Sequence, residues 1–289
     1  MSEYLDIAVT GESPMDLSKE ILEENDIDVI PFHIAFDEKD HLDGTFKNEE
    51  MYEYFDRTGK VPQSGAPSIE EYKNLFAKAL ENHDACLHVS MSGSLSSGYQ
   101  NAVAASKEFP EGKVEVIDSR TISLGIGIIA IKAKEAIRKG VKSLSEACEK
   151  AKSFVNKVKA SLLIDRLEYM YRGGRCSKLV LLGANILRLK PVIEVVDGKL
   201  TVGSKYRGKR AKCLRNYIER EVADCPDADK SLAVVGFTST GDVEGETIAR
   251  ETLTELGFKK VIITECNSTN SVHGGPLVVG FGFLYGLAA

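Results

Sequence analysis

Short apolar segments alternate with longer amphipathic segments along the first half of this chain. The apolar segments have the length and β-branched content of strands, at Leu5–Thr10, Ile27–Ile34, Ala85–Ser90 and Val114–Asp118. Helical periodicity predicts helices between them, at Asp16–Glu24, Glu49–Asp56, Ile69–Asn82 and Ser97–Glu108. Strands that alternate with helices form a largely parallel sheet with helices on both faces. The pattern therefore predicts an α/β fold.

The pattern changes near residue 160. Two long helical segments, Ile122–Lys139 and Ser143–Ala160, precede this point. Beyond it, strands are predicted at Leu162–Ile164, Val192–Val196, Lys199–Val202, Leu232–Thr238 and Val261–Thr264, with helices at Cys213–Val222 and Val243–Leu256. An Asp-Gly pair between two of these strands is a strong hairpin signal. We predict two α/β domains, 1–160 with a mostly parallel sheet and 161–289 with a mixed sheet.

Charge and cysteine spacing exclude several classes of function. The formal net charge is −6 at pH 7 over 289 residues, so nucleic-acid binding has no electrostatic support. The six cysteines lie apart, with no CxxC pair, which predicts reduced thiols and no metal site. The first residues lack the features of a signal peptide, and no apolar run approaches the roughly 20 residues that span a bilayer. We expect a cytoplasmic protein without stable membrane insertion.

A segment rich in serine and glycine is the strongest sign of a binding site. Five serines and two glycines lie within Ser90–Gly98, between a predicted strand and a predicted helix. Backbone N–H groups and the helix dipole favour an anion at such a turn. Tyr99 and Gln100 stand where a P-loop has Lys and Ser or Thr, so a nucleotide triphosphate is disfavoured. Neutral donors suit a single carboxylate, although a helix-capping turn explains the serines about equally well.

Two further polar segments are weaker signals. Ser64 lies in a loop before a capped helix, where an ordinary connecting loop is the favoured interpretation. Gly173 and Gly174 lie between Arg172 and Arg175, whose guanidinium groups could hold an anion or a neighbouring loop. A turn between two helices explains the paired glycines equally well.

His273 is the histidine with the most distinctive surroundings. It precedes Gly-Gly-Pro, ahead of an apolar segment that reads as a strand. A protonated histidine can donate a hydrogen bond to a carboxylate from either ring nitrogen, whereas a histidine satisfied by the local backbone is the commoner case. A nucleophilic pair with Cys176 is disfavoured because the sequence offers no third, orienting group.

Taken in order, these segments resemble the DegV family, the fatty-acid-binding proteins of bacteria, over nearly the whole chain. Ser92–Gln100 is similar to the family's S-S-x-L-S-G-T-Y-Q, and Val116–Thr121 to its V-x-D-S-x-x. Gly173–Lys178 resembles G-G-R-I-S-K, and the segment from His273 resembles H-x-G-P-G. The resemblance implies a two-domain α/β fold with a fatty acid buried between the domains.

The resemblance also implies which residues surround the ligand. Carried over by position, the carboxylate of a palmitate, stearate or oleate would be held by Ser64, Ser96 and His273, with Arg207 near its mouth. The residues that would support this site are Ser92, Gly93, Ser97, Gly98, Gly173, Gly174, Arg175 and Gly275. Apolar residues for the acyl chain are plentiful in Leu179–Leu189 and Leu277–Leu287.

Family members of this kind present the acid to a separate fatty acid kinase, which makes an acyl phosphate for phospholipid metabolism. The chain has no nucleotide motif and no complete triad, so we predict a carrier without catalysis of its own, cofactor or metal. One alternative is a phosphotransfer or kinase-related subunit with His273 as phospho-acceptor, and another is a regulator of a further partner. The loop Thr10–Asp16 departs from the family's T-D-S-x-x-D, since it is one residue longer and lacks the early Asp.

Overall fold

The structure, a computed structural model, describes residues 4–174 and 189–287. The first range contains β1 (Ile7–Glu12), α1 (Lys19–Asn25), β2 (Ile27–Ile30), β3 (His33–Phe36), β4 (Lys39–Leu42), α2 (Asn48–Thr58), β5 (Gln63–Gly65), α3 (Ile69–Leu80), β6 (Ala85–Ser90), α4 (Gly98–Ser106), β7 (Val114–Asp118), α5 (Leu124–Arg138), α6 (Leu144–Val155), β8 (Val158–Leu163) and α7 (Leu167–Arg172). The second contains β9 (Lys190–Val196), β10 (Lys199–Tyr206), α8 (Arg210–Ala223), β11 (Ala228–Phe237), α9 (Val243–Glu255), β12 (Lys260–Glu265), α10 (Ser268–Gly274) and β13 (Val279–Tyr285).

The first sheet is parallel throughout, in the order β2-β1-β6-β7. Successive side chains of a strand point to opposite faces, so each buried strand supplies two cores. Val9 and Leu87 pack in the core that α5 and α6 cover, whereas Ala8 and Cys86 pack in the core beneath α3 and α4. The predicted parallel sheet with helices on both faces is confirmed.

The second sheet is mixed, as predicted, in the order β10-β9-β8-β13-β11-β12. Neighbouring strands in this sheet are antiparallel, except for β11 and β12, which are parallel. The helix α5 contacts β1 and β6 of the first sheet and β8 and β13 of the second. This position between two sheets explains why α5 is apolar on nearly every face. Residue 160 falls within β8, and the division into domains 1–160 and 161–289 stays a prediction.

Several predicted bounds shift by a few residues, and two predicted elements differ from the structure in kind. The single strand predicted at Ile27–Ile34 is divided into β2 and β3, because Pro31 between them has no N–H group to continue a ladder. The helix predicted at Ser143–Ala160 ends at Val155, and its last residues instead enter β8, which pairs with β13. Tertiary pairing there outweighs the local helical pattern.

A small third sheet, in the order β4-β3-β5, extends from the first part of the chain toward α10. It matters for the site because β5 carries Ser64, which pairs with Ile34 of β3. Within residues 4–174 and 189–287, no helix combines the length and apolar character needed to cross a membrane.

Candidate ligand-binding site

A cavity of about 510 Å³ lies where the ends of the parallel strands face the second sheet. Met91 follows β6 and Ile122 follows β7, and both line the cavity together with Leu162 of β8 and Leu200 of β10. Open α/β sheets place their ligand sites at the carboxyl ends of parallel strands. The volume is in the range of small-molecule sites, and most of the wall formed by these residues is apolar.

Three of the predicted binding residues line this cavity. Ser64 comes from β5, Ser96 from the loop between β6 and α4, and His273 from the last turn of α10. The Ser64 hydroxyl and Nε2 of His273 are 2.8 Å apart, at hydrogen-bond distance. The Ser96 hydroxyl oxygen accepts a hydrogen bond of 3.1 Å from the backbone N–H of Gly98, which leaves its proton to donate. The fold therefore gathers neutral hydroxyls and an imidazole beside an apolar wall.

The serine loop, residues 91–97 between β6 and α4, is attached to both halves of the molecule. The Ser92 hydroxyl donates to the backbone oxygen of Gly198, in the turn between β9 and β10, at 2.8 Å. The backbone N–H of Gly93 donates to the Asp118 carboxylate at 3.3 Å. Gly93 and Ser97 also line the cavity. These contacts fix the loop that presents Ser96.

Two predicted glycines are required by close approaches. A Cβ atom at Gly173 would lie 2.8 Å from Nδ1 of His273, so a glycine there lets the end of α7 pack against the imidazole. Gly275 has φ 80° and ψ −177°, and a Cβ atom would lie 2.5 Å from the ring of Tyr169. Gly174 also has a positive φ, of 70°, as expected of a residue that ends a helix.

Other predicted residues lie away from this cavity or outside the described residues. Arg207 is exposed in the loop after β10 and does not line the cavity. Because a strand rises about 3.3 Å per residue, the end of β10 lies roughly 20 Å from Leu200. Of the predicted apolar segment Leu277–Leu287, Val278 lines the cavity, whereas Leu277 is 40% exposed. Arg175, Cys176 and the segment Leu179–Leu189 up to residue 188 lie outside the described residues.

Sequence reasoning missed a buried carboxylate beneath the serine loop. Glu12 at the end of β1 is fully buried. It accepts hydrogen bonds from the Tyr72 hydroxyl at 2.6 Å, the Ser90 hydroxyl at 2.7 Å and the Met91 backbone at 2.8 Å. Burial, with the nearby charge of Glu12, raises the pKa of Tyr72 far above its usual range, so the phenol stays a donor. The available signal was the segment Thr10–Asp16, which departs from the family's T-D-S-x-x-D and has Glu12 directly before its serine.

A second missed group lies at the start of α10, the helix that carries His273. Asp16 is fully buried and accepts a hydrogen bond from the Ser123 hydroxyl. It also accepts from the backbone N–H of Asn267 at 2.7 Å and from the Asn270 side chain at 2.8 Å. Burial raises the pKa of Asp16 to about 7 although these hydrogen bonds favour the ionised form.

Asp43 fixes the same end of α10. Its carboxylate accepts from the Ser268 backbone at 2.7 Å and from the Thr269 hydroxyl at 2.7 Å. The Ser13 hydroxyl donates to it at 2.8 Å. Two carboxylates from the first part of the chain therefore hold the helix that carries the cavity's imidazole. Among the described residues, no group of three or more His, Cys, Asp or Glu side chains could hold a metal ion.

Comparison with known proteins identifies the family. Residues 6–286 match the family model described as "Uncharacterised protein, DegV family". The chain belongs to the DegV family. A DegV domain-containing protein of Caldanaerobacter subterraneus is 29% identical over 282 residues, which are 96% of this chain and 98% of that protein. A protein of Thermotoga maritima named fatty acid-binding protein is 28% identical over 282 residues, 96% of each chain.

Solved DegV structures share the fold. A Thermus thermophilus DegV family protein described for its fatty acid binding superposes with a TM-score of 0.88 at 24% identity, over 97% of this chain and 100% of its own. A Thermotoga maritima protein described as having a fatty acid binding function gives a TM-score of 0.84 at 25% identity, over 98% and 100%. A Eubacterium eligens DegV family protein loaded with heptadecanoic acid gives 0.83 at 19% identity, over 97% and 100%. The predicted fold class is confirmed, and the Thermotoga maritima relative carries the name fatty acid-binding protein.

Proposed function

We propose that this protein binds one long-chain fatty acid, with its carboxylate at Ser64, Ser96 and His273 and its acyl chain in the cavity. The observation that carries the proposal is the Ser64–His273 pair, whose atoms are 2.8 Å apart on the wall of the apolar cavity that Ser96 also lines. Relatives and proteins of the same fold that are described as fatty acid-binding support the choice of ligand. The ligand would then lie between the two predicted domains, 1–160 and 161–289.

The acyl chain and the carboxylate of the ligand contribute to the binding free energy in different ways. Burying a chain of about 16 carbons at about 0.8 kcal/mol per methylene gains on the order of 10 kcal/mol before the cost of association. A buried carboxylate without partners would cost several kcal/mol, which is about what a few hydrogen-bond donors offset. Hydroxyls and an imidazole supply these donors without a buried lysine.

The proposal extends to presentation of the bound acid to a separate fatty acid kinase. Ser64, Ser96 and His273 are all partly exposed, so solvent reaches the proposed carboxylate end of the site. A kinase could therefore approach the carboxylate. ATP-dependent formation of an acyl phosphate, trapped with hydroxylamine after a fatty acid kinase is added to the palmitate-loaded protein, would support this role. Equal yields with free palmitate would contradict it.

Native mass spectrometry of the gently purified protein tests the binding proposal. We expect one copurified fatty acid per chain, and stoichiometric uptake of palmitate by protein stripped of ligand. Ser96→Ala and His273→Ala should each weaken palmitate binding about 10- to 100-fold, because each removes a hydrogen bond to a charged group. Ser153→Ala is the matched control, since Ser153 is exposed on α6 and bonds only its own helix.

Two results would contradict the proposal. A protein that carries no acid and ignores added palmitate does not have this function. Unchanged palmitate affinity in both cavity variants would mean that the carboxylate lies elsewhere. The phosphotransfer alternative for His273 stays a prediction, and a phosphohistidine adduct in the same spectra would support it.

A further inference from the structure

The wall of the cavity formed by α10 carries a second set of polar atoms. Asn270 precedes His273 by three residues, and both side chains line the cavity. Residues three apart on a helix share a face, with Cβ atoms about 5–6 Å apart. Ser123, at the start of α5, lines the cavity beside them and is joined to Asn270 through Asp16. The second polar set therefore lies close to the carboxylate site.

The hydrogen bonds of Asn270 fix the orientation of its amide. Its Nδ2 donates to the backbone oxygen of Pro14 and to Oδ2 of Asp16, each at 2.8 Å. A reversed amide would place oxygen against the Pro14 oxygen, with no proton between them. Both N–H donors are thus used on the side away from the cavity. The remaining atom, Oδ1, accepts no hydrogen bond from any residue in 4–174 or 189–287.

The hydrogen-bond donors of Ser123 and Asn270 are directed at Asp16, so the atoms that these two residues have left for a ligand are acceptors. The Ser123 hydroxyl donates to the same Asp16 oxygen as Asn270 does. The Cys266 thiol lies beside Asp16, where burial and this acidic neighbour raise the pKa of Cys266 well above its usual range. The cavity thus offers the Ser96 hydroxyl as a donor and Oδ1 of Asn270 as an acceptor.

We propose that the preferred ligand is a hydroxylated fatty acid, whose hydroxyl lies on the acyl chain near the carboxylate and donates to Oδ1 of Asn270. This inference rests on the proposed function and specifies its substrate class. A plain saturated chain would press methylene groups against an amide oxygen that keeps no partner, which opposes binding. A second carboxylate is disfavoured there, because the site offers it an acceptor and the nearby Asp16 in place of donors.

Three acids distinguish this proposal in the ligand-stripped wild-type protein: palmitate, β-hydroxypalmitate and ω-hydroxypalmitate. The two hydroxy acids have the same composition and close to the same cost of removing a hydroxyl from water, and they differ in where the hydroxyl lies. We expect β-hydroxypalmitate to bind about tenfold tighter than ω-hydroxypalmitate in calorimetric titrations, because only its hydroxyl reaches Asn270. Equal affinities, or tighter binding of the ω-hydroxy acid, would overturn the proposal.

The variant Asn270→Leu removes the acceptor at similar volume. The preference for the β-hydroxy acid over the ω-hydroxy acid should then fall below about twofold, and this ratio is the readout because Asn270 also bonds Asp16 at the start of the helix that carries His273. Asn156→Leu, at an exposed position after α6, is the control that should keep the full preference. A preference that survives Asn270→Leu would overturn the assignment to this residue.

A ligand-side change covers the case in which Asn270→Leu does not fold. The methyl ether of β-hydroxypalmitate keeps the oxygen and loses the proton, so the wild-type protein should bind it about tenfold more weakly than the hydroxy acid. Equal binding of ether and alcohol would overturn the inference. If palmitate binds without any preference for the β-hydroxy acid, the inference alone fails. If none of the acids binds, the proposed function fails as well.

Discussion

Asp16 makes the stability of this protein depend on pH in a direction that can be worked out. Its carboxyl is fully buried, and burial raises its pKa from the ordinary value of 3.8 to about 7. In the unfolded chain the pKa returns to the ordinary value. Between these two values the folded protein holds a proton that the unfolded chain has released. This contribution to stability is therefore present at acidic pH and is lost as the pH rises through about 7.

The loss is large enough to measure. Between about pH 5 and about pH 8, a shift of this size removes about 2–3 kcal/mol from the free energy of unfolding. For a chain of this length, such a change lowers Tm by about 5 °C. His33 acts in the same direction, because hydrogen bonds to Asp40 and Glu71 raise its pKa although its partial burial lowers it. The pH dependence of the wild-type stability therefore does not by itself isolate the contribution of Asp16.

The variant Asp16→Asn isolates the effect, because it keeps the size of the side chain and cannot titrate. Urea unfolding of both proteins from about pH 5 to about pH 8 should show the advantage of the wild type over the variant shrinking by about 2–3 kcal/mol. Glu111→Gln, at an exposed position before β7, should keep the wild-type profile. Parallel profiles for wild type and Asp16→Asn, or an advantage that grows with pH, would refute the reasoning.

Three further substitutions test the packing around the site. Gly173→Ala should displace the His273 ring, because the new Cβ would lie 2.8 Å from Nδ1. Palmitate binding should weaken by roughly tenfold or more, with little change in Tm. Tyr72→Phe should cost about 1–3 kcal/mol in urea unfolding, since it removes a donor from the buried carboxylate of Glu12. Gly275→Ala should cost more than about 1 kcal/mol in the same assay, because its φ of 80° and the neighbouring aromatic ring both oppose a side chain. Unchanged palmitate affinity in the first variant would show that its contact does not affect binding. An unchanged free energy of unfolding in either of the other two would show that its contact does not stabilise the fold.

The strands β6 and β7 were predictable because each is a short run rich in apolar and β-branched residues, although β6 is buried throughout and β7 lies at the edge of the first sheet. The predicted bounds of β6 and β7, Ala85–Ser90 and Val114–Asp118, are those of the structure. The hairpin strand β4 was not predicted, because Lys39–Leu42 is mostly exposed and polar. Its extended form depends on pairing with β3 and leaves no hydrophobic signal.

In the candidate site, too, some residues were predictable from the sequence and others were not. Ser64, Ser96 and His273 could be proposed from motif resemblance, and the structure places all three on one cavity. Asp16 could not, because in sequence it is a single acid at the start of a predicted helix. Only the folded chain brings it to Asn270, 254 positions away, and burial then gives its carboxyl an unusual pKa.

A crystal structure of the protein grown with palmitate would test the central claim most directly. We predict the carboxylate at hydrogen-bond distance from the Ser96 hydroxyl and from the Ser64–His273 pair, with the acyl chain along Leu162 and Leu200. A carboxylate among the apolar side chains, or an acid bound outside this cavity, would contradict it.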